Sequence, residues 1–333
     1  MSPSNFATEL AAVRAAWAAG ARSAPSFLYG AAPYLGDVPE RAMELAAEIE
    51  PDGVLGALYA ARARELALEA AIIDARETER LPALAASRFS AGDPLDAEAD
   101  RLARDFATAP VAEAPASDAE MVTTDDTGDP RSLVCRARDE IGKLRLPVRV
   151  VAHASLAPLA AAGDRVLQIA RKRRVRVVDV ERTVMHEVHG HLLPMARAAA
   201  RGEAIFEVGS ARGSEGQEGY ALLLEERAGF LVGARARELG LRHLAARAAH
   251  RGVGFANVVD SLCALGAPLD RALRIAARAA RGGGLGREAG YLVAYLDVKR
   301  GVLADPSLEA VIASGRLSVD AARALAALAP ATS

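Results

Sequence analysis

The sequence predicts an α+β protein, predominantly helical, with a small β-sheet beside one chemically loaded helix. Three observations carry that expectation. Apolar residues recur three and four positions apart through most of the first hundred residues and again over the last hundred, the period of helices buried on one face. Three short β-like runs lie between residues 148 and 178. Hydrophobic residues make up 51% of the chain but aromatic ones only 4%, so the core rests on Ala, Leu and Val, which suits closely packed helices.

The elements follow in order. Helical periodicity covers Thr8 to Arg22, Val38 to Glu50, Val54 to Arg80 and Pro94 to Phe106, and defines an N-terminal helical region over 1–106. From 107 to 130 the composition shifts to Ala, Pro, Ser, Thr and Asp, with Pro110, Pro115 and Pro130 opposing regular structure; this stretch reads as a linker, or else as a loop over the active site. Residues 131–333 form the region that carries the chemistry, expected to pack as one unit with the N-terminal helices. Strands are predicted at Val148 to Ala152, Val166 to Ile169 and Val175 to Val178, the last leading through Asp179 as N-cap into a helix that bears His186. Ser214 and Gln217 have the spacing of a capping box, so a further helix should begin there and run to about Glu238. Helical pattern resumes to the end, broken at Gly252, Gly254, Gly266, Pro268 and the Gly282 to Gly286 loop, and no solenoid repeat is present. The length of 333 residues suffices for one large domain or two smaller ones.

Composition removes several function classes. A net charge of −2 gives no global attraction to nucleic acid or to an acidic membrane. No run approaches the eighteen or so apolar residues that span a bilayer. Met1 to Gly20 carries Glu9 and Arg14 inside its Ala-rich stretch and lacks a signal-peptide core. Cys135 and Cys263 are far apart and read as reduced thiols, so a cytoplasmic protein is expected. The run Arg171-Lys172-Arg173-Arg174 reads as a solvated turn between strands, with phosphate or acidic-peptide binding as the alternative. His153, His243 and His250 have no partner at informative spacing.

The chemistry concentrates in His186-Glu187-Val188-His189-Gly190-His191, which holds three of the six histidines. On a straight α-helix His186 and His189 lie about 60° apart, whereas His186 and His191 point about 140° away from each other. The zinc-peptidase pattern H-E-x-x-H places its histidines at i and i+4 with Glu as general base, and here one residue is added. A π-type turn absorbs one extra residue and returns His186 and His191 to one face, and Gly190 eases such a distortion. The expectation is a bulged metal helix with His186 and His191 as ligands and Glu187 as base. The same residues also admit His186 with His189 as the pair, or a polar helix face with chance histidines.

A hydrolytic zinc needs a third protein ligand and an open position. The best candidate is Glu218, placed by the capping box in the first turn of its helix, where the dipole favours a carboxylate. Gly213, Gly216 and Gly219 allow another backbone or a substrate to approach. Glu225, two turns on, shares Glu218's face as a ligand or as an acceptor behind one. Glu215, Glu225 and Glu226 taken singly otherwise read as solvated acids.

The pairing of an H-E-x-x-x-H helix with Gln217-Glu218-Gly219-Tyr220-Ala221 resembles the tyrosine carboxypeptidase family of zinc metallopeptidases. That family includes the eukaryotic microtubule-associated tyrosine carboxypeptidases and bacterial proteins described as flavohaemoglobin expression-modulating QEGLA-motif proteins. Members usually read H-E-[IV]-G-T-H and Q-E-G-L-A, so His189-Gly190 and Tyr220 are departures. Arg281-Gly282-Gly283-Gly284-Leu285-Gly286-Arg287-Glu288-Ala289-Gly290-Tyr291-Leu292 is similar to the family's R-G-G-G-F-T-K-D-x-V-Y-L segment, with the hydroxyl lost and the charges kept. Weaker likeness extends to Phe27-Leu28-Tyr29 and to the stretch from Arg76 to Ser87.

The resemblance implies a zincin-like metallopeptidase with one Zn2+ per chain, bound by His186, His191 and Glu218, and with Glu187 activating water. It implies a peptide or protein C-terminus as substrate, with an aromatic, tyrosine-like terminal residue. Such an exopeptidase needs a cation for the terminal carboxylate and a donor for the oxyanion; Arg287 and Tyr291, four apart on one predicted helix face, are assigned these roles. Tyr220, beside the metal motif, is expected to bear on substrate binding. The alternatives are a zinc hydrolase acting on a non-peptide amide or a peptidic natural product, and a metal-binding protein without catalysis.

Overall fold

Glu77 shows how the first helices are delimited. Its left-handed φ of 62° turns the chain out of a helix, and its N–H donates to the carbonyl of Gly282 at 2.8 Å. The periodicity expected to run from 54 to 80 therefore stops at Asp74, and Pro82 in a first-turn position opens a separate helix, Leu81–Phe89. This computed structural model describes residues 3–31, 35–50, 53–92, 94–111, 117–154, 156 and 158–328. The helix so shortened is Gly53–Asp74, and the other N-terminal helices, Phe6–Ala18, Val38–Ile49 and Leu95–Thr108, lie within a few residues of their predicted spans. No helix among the described residues is long and apolar enough to cross a membrane.

The chain divides into two compact units, one holding Met1–Val111 and Gly233–Leu296, the other Ala112–Val232 and Asp297–Ser333. In the first, Leu10 and Val13 join Leu241, Val259, Leu262 and Leu273 in an apolar cluster filled out by alanines. Small residues set the spacing: a Cβ on Gly240 would sit 2.4 Å from the carbonyl oxygen of Ala103, so the helices Gly233–His250 and Leu95–Thr108 touch backbone to backbone. His243 is buried and paired with Asp100 at 2.8 Å, and His250 contacts the Leu285 carbonyl at 3.0 Å. Glu288 is buried among Arg242, Arg278 and Arg281 at 3.3, 2.9 and 3.7 Å.

The second unit holds the strands β1 (Met121–Thr123), β2 (Arg149–His153), β3 (Ala160–Gly163), β4 (Val166–Ala170) and β5 (Arg174–Arg176). One sheet has the order β2-β4-β3, with β2 parallel to β4 (Arg149 opposite Val166) and β3 antiparallel (Ala160 opposite Ile169). The other pairs β1 with β5, Met121 opposite Arg176. Three differences from expectation have physical reasons. β1 lies inside the stretch expected to be a linker, because Met121–Thr123 finds a partner strand some fifty residues away; residues 112–116, with Pro115, lie outside the described residues. β3 is Ala-Ala-Ala-Gly, with no β-propensity of its own, and exists through its ladder to β4. β5 ends at Arg176, and the helix Val177–Val184 begins without a side-chain cap; Asp179 sits in its first turn and accepts from Arg176 Nε at 3.0 Å.

The basic run is exposed, Arg171 to Arg173 in the turn from β4 and Arg174 opening β5, with Lys172 at φ 55° and its N–H donating to Asp125 at 2.8 Å. Val180, Val184, Val188 and Leu192, four apart, face Leu167 and Ile169 of β4 and Leu133, Ala137 and Ile141 of the helix Leu133–Lys143. The sheet thus lies beside the histidine helix, as expected. The helix with Glu218 spans Gly213–Arg227, not Ser214 to Glu238, and no capping box forms. Its first turn is packed instead: a Cβ on Gly213 would sit 2.0 Å from the Arg316 carbonyl, and one on Gly216 would sit 2.2 Å from that of Leu317. Glu218 accordingly lies in the second turn rather than the first. The helix ends before Gly229, whose φ is 77°.

Burial works to raise the Glu288 pKa, but the charges of Arg242, Arg278 and Arg281 overcome it and hold it down at about 2. Because the folded value lies below the ordinary 4.5, the stabilisation is full above that pH and is lost as pH falls toward 2. Glu288→Gln is expected to cost about 3–5 kcal/mol at neutral pH by stranding the arginines, and to flatten the acid limb of the melting curve below pH 4.5, both read by thermal denaturation.

Candidate metal centre

The residues around His186 form a π-helix, Met185–Leu192, set between the α-helices Val177–Val184 and Leu193–Arg201. It is longer than the single turn expected. With about 4.4 residues per π turn, five residues come round to nearly the same face, so His186 and His191 meet. Their ring centroids are 4.9 Å apart and their Nε2 atoms 3.2 Å apart. A straight α-helix would have separated them.

Gly190 has a different purpose from the one its sequence context implies. A Cβ there would lie 2.4 Å from the Cβ of Ala221 and 2.9 Å from its Cα. No side chain fits, so the π-helix and the Gly213–Arg227 helix are in contact at this point. That contact brings Glu218 to the histidines: its Oε2 is 3.5 Å from His186 Nε2 and 3.9 Å from His191 Nε2. His186, His191 and Glu218 are the group of potential metal-binding side chains found among the described residues, with ligand atoms within 4.8 Å of one another.

Those separations can be compared with an ion. Zinc bonds of 2.0–2.1 Å in tetrahedral geometry put neighbouring ligand atoms about 3.3 Å apart. Pairs at 3.2, 3.5 and 3.9 Å lie close to that edge length, and two nitrogens and one carboxylate leave a fourth position open. The donor set fits zinc.

The surroundings fix the ligands. Glu225 is wholly buried, contrary to the solvated reading, and lies 2.7 Å from His186 Nδ1. With Nδ1–H donating to this carboxylate, loss of the Nε2 proton would leave the Nε2 lone pair on the side of Glu218 and His191, where a metal could take its place. Burial opposes charge on His186, yet hydrogen bonds to Glu218 and Glu225, with Glu187 nearby, push its pKa up to about 10. In the metal-free protein a proton thus answers the excess of carboxylates. Gln217 Nε2 reaches the His191 carbonyl at 3.4 Å.

Glu187 Oε2 accepts from the backbone N–H of Ala162 in β3 at 2.9 Å. Sequence reasoning missed this partner, since a main-chain donor in an Ala-Ala-Ala-Gly strand leaves no residue signal. His189 faces the other way, with Nε2 3.0 Å from Glu140 Oε1. Glu215 is also buried rather than solvated, and Glu226 pairs with Lys299 at 2.6 Å. Tyr220 lies on another face of the same helix. Two residues from Glu218 means about 200° around the helix, and its side chain is buried with Leu223, Val298, Leu308 and Ile312.

Arg287 and Tyr291 belong to the first unit. They do not share a helix face as expected, because the helix Ala289–Ala304 starts after Arg287, which is exposed in the preceding turn. The Arg242 guanidinium lies 5.9 Å from the Tyr291 ring centre.

A family model described as microtubule-associated tyrosine carboxypeptidase matches residues 17–331, nearly the whole chain. No curated protein matches the sequence.

Two outcomes follow from this geometry. Gly190→Ala should destabilise the protein by about 1–3 kcal/mol through overpacking and weaken zinc binding measured by competition with a chelator, and Ala221→Gly in the same chain should restore part of both. In metal-free protein, the raised pKa of His186 contributes stability that is full below pH 6.5 and lost as pH rises through about 10. Its melting temperature should fall over that interval, and Glu225→Gln should reduce the slope.

Proposed function

Because this chain belongs to the microtubule-associated tyrosine carboxypeptidase family, we propose that it is a zincin-like, zinc-dependent carboxypeptidase that removes an aromatic, tyrosine-like residue from a peptide or protein C-terminus. The observation that carries the zinc reading is the convergence of His186 Nε2, His191 Nε2 and Glu218 Oε2 at tetrahedral-edge distances, with Glu187 on the same π-helix.

His186, His191 and Glu218 would hold the ion, and Glu225, accepting from Nδ1–H, would keep His186 Nε2 available to it. When bound, zinc supplies Lewis acidity, acidifying water and polarising a carbonyl. Glu187 carries the proton. Its Oε2 is tied to the Ala162 N–H, which fixes the carboxylate while Oε1 takes the proton of the attacking water and passes it to the departing amine nitrogen. The peptide C–N bond breaks as the new C–O bond completes the acid product.

Glu187→Gln should keep stoichiometric zinc by elemental analysis while losing about 10²–10⁴-fold in kcat. Mass spectrometry of peptides that differ only in the last residue should show release of a single C-terminal residue, fastest for tyrosine. Internal cleavage, or turnover that survives Glu187→Gln, would overturn the reading.

A further inference from the structure

The first unit contains a cavity of about 610 Å³, within the size range of small-molecule sites. One wall is an extended strap. Ser26 N–H and Leu28 N–H donate to Glu9 and Asn5 at 2.7 and 2.8 Å, so the alternate residues Pro25, Phe27 and Tyr29 line the cavity. The Tyr29 hydroxyl accepts from the Gly282 N–H at 2.5 Å and anchors the far end of the strap. Phe255, Val258, Ala276 and Ala279 complete an apolar interior.

The polar lining has one sign. Glu77 and Glu79 are the ionisable acids on the cavity, and no Lys, Arg or His lines it among the described residues. Glu79 makes no hydrogen bond or ion pair with the described residues, and Glu77 has only Arg76 at 3.8 Å. The Glu77 backbone is held in its left-handed conformation, its Cα 3.2 Å from where a Gly283 Cβ would be, which sets where its side chain leaves the chain at the cavity rim. The Tyr29 ring already receives a cation, with the Arg76 guanidinium 5.0 Å from its centre. Thr78 donates its hydroxyl to the Ala75 carbonyl and accepts from the Arg80 N–H at 3.4 Å, so its oxygen keeps at most one further acceptor position.

We infer that this cavity is a second binding site, for an apolar amine: an aromatic or branched aliphatic body between Phe27, Tyr29 and Phe255, and an ammonium group between Glu77 and Glu79. Aromatic faces and carboxylates together favour a cation on an apolar body over its neutral or anionic counterpart. The site uses no residue of the metal centre and does not depend on the carboxypeptidase reading.

Calorimetric titration of the zinc-loaded protein with 4-phenylbutylamine, 4-phenylbutanol and 4-phenylbutanoate tests it. The amine should bind saturably at one site, about ten-fold or more tightly than the other two. Glu79→Gln, an exposed position whose substitution leaves the fold intact, should bring the amine to the level of the alcohol, and Phe27→Ala should weaken both. Metal-stripped protein should bind the amine equally well. Equal binding of amine and acid, an amine affinity that survives Glu79→Gln, dependence on the metal, or no saturable binding would overturn the inference.

Discussion

The candidate site depends on one contact with no side chain in it: Gly190 of the π-helix against Ala221 of the Gly213–Arg227 helix. The π-helix turns His186 and His191 to a common face, but a common face alone gives two candidate ligands. The third arrives because two helix backbones touch where a methyl group would lie 2.4 Å from another. The glutamate helix is in turn seated by Gly213 and Gly216, which accept the carbonyls of Arg316 and Leu317 at distances no Cβ tolerates. Three glycines thus set the position of one carboxylate.

Charge then selects what the site accepts. Glu187, Glu218 and Glu225 surround His186, and its raised pKa records how strongly they favour a positive charge between them. Glu225, fully buried with its oxygen 2.7 Å from Nδ1, commits the imidazole to one tautomer. Glu187 differs from the other two in being tied to a strand donor, the Ala162 N–H. In the first unit the same logic runs with the opposite sign, where three arginines hold Glu288 ionised.

The parts legible in the sequence are those set by local spacing. Five residues between His186 and His191 conflict with an α-helix, and the conflict itself pointed to a π turn. The amphipathic helices were readable for the same reason. What stayed hidden was non-local. Gly190 read as a residue that eases distortion, because Ala221 lies thirty residues away. The Ser214 and Gln217 pattern resembled a cap, but the Arg316–Leu317 backbone occupies that end of the helix. β3 has no strand propensity and exists only through β4. The return of Gly233–Leu296 to the N-terminal helices leaves no local trace either.

Anomalous diffraction at the zinc edge from crystals of the purified protein addresses the central claim most directly. The account predicts one zinc peak per chain, within bonding distance of His186 Nε2, His191 Nε2 and a Glu218 oxygen and about 2.0–2.2 Å from each. A peak at His189 and Glu140, or no peak in protein purified without chelator, would contradict it.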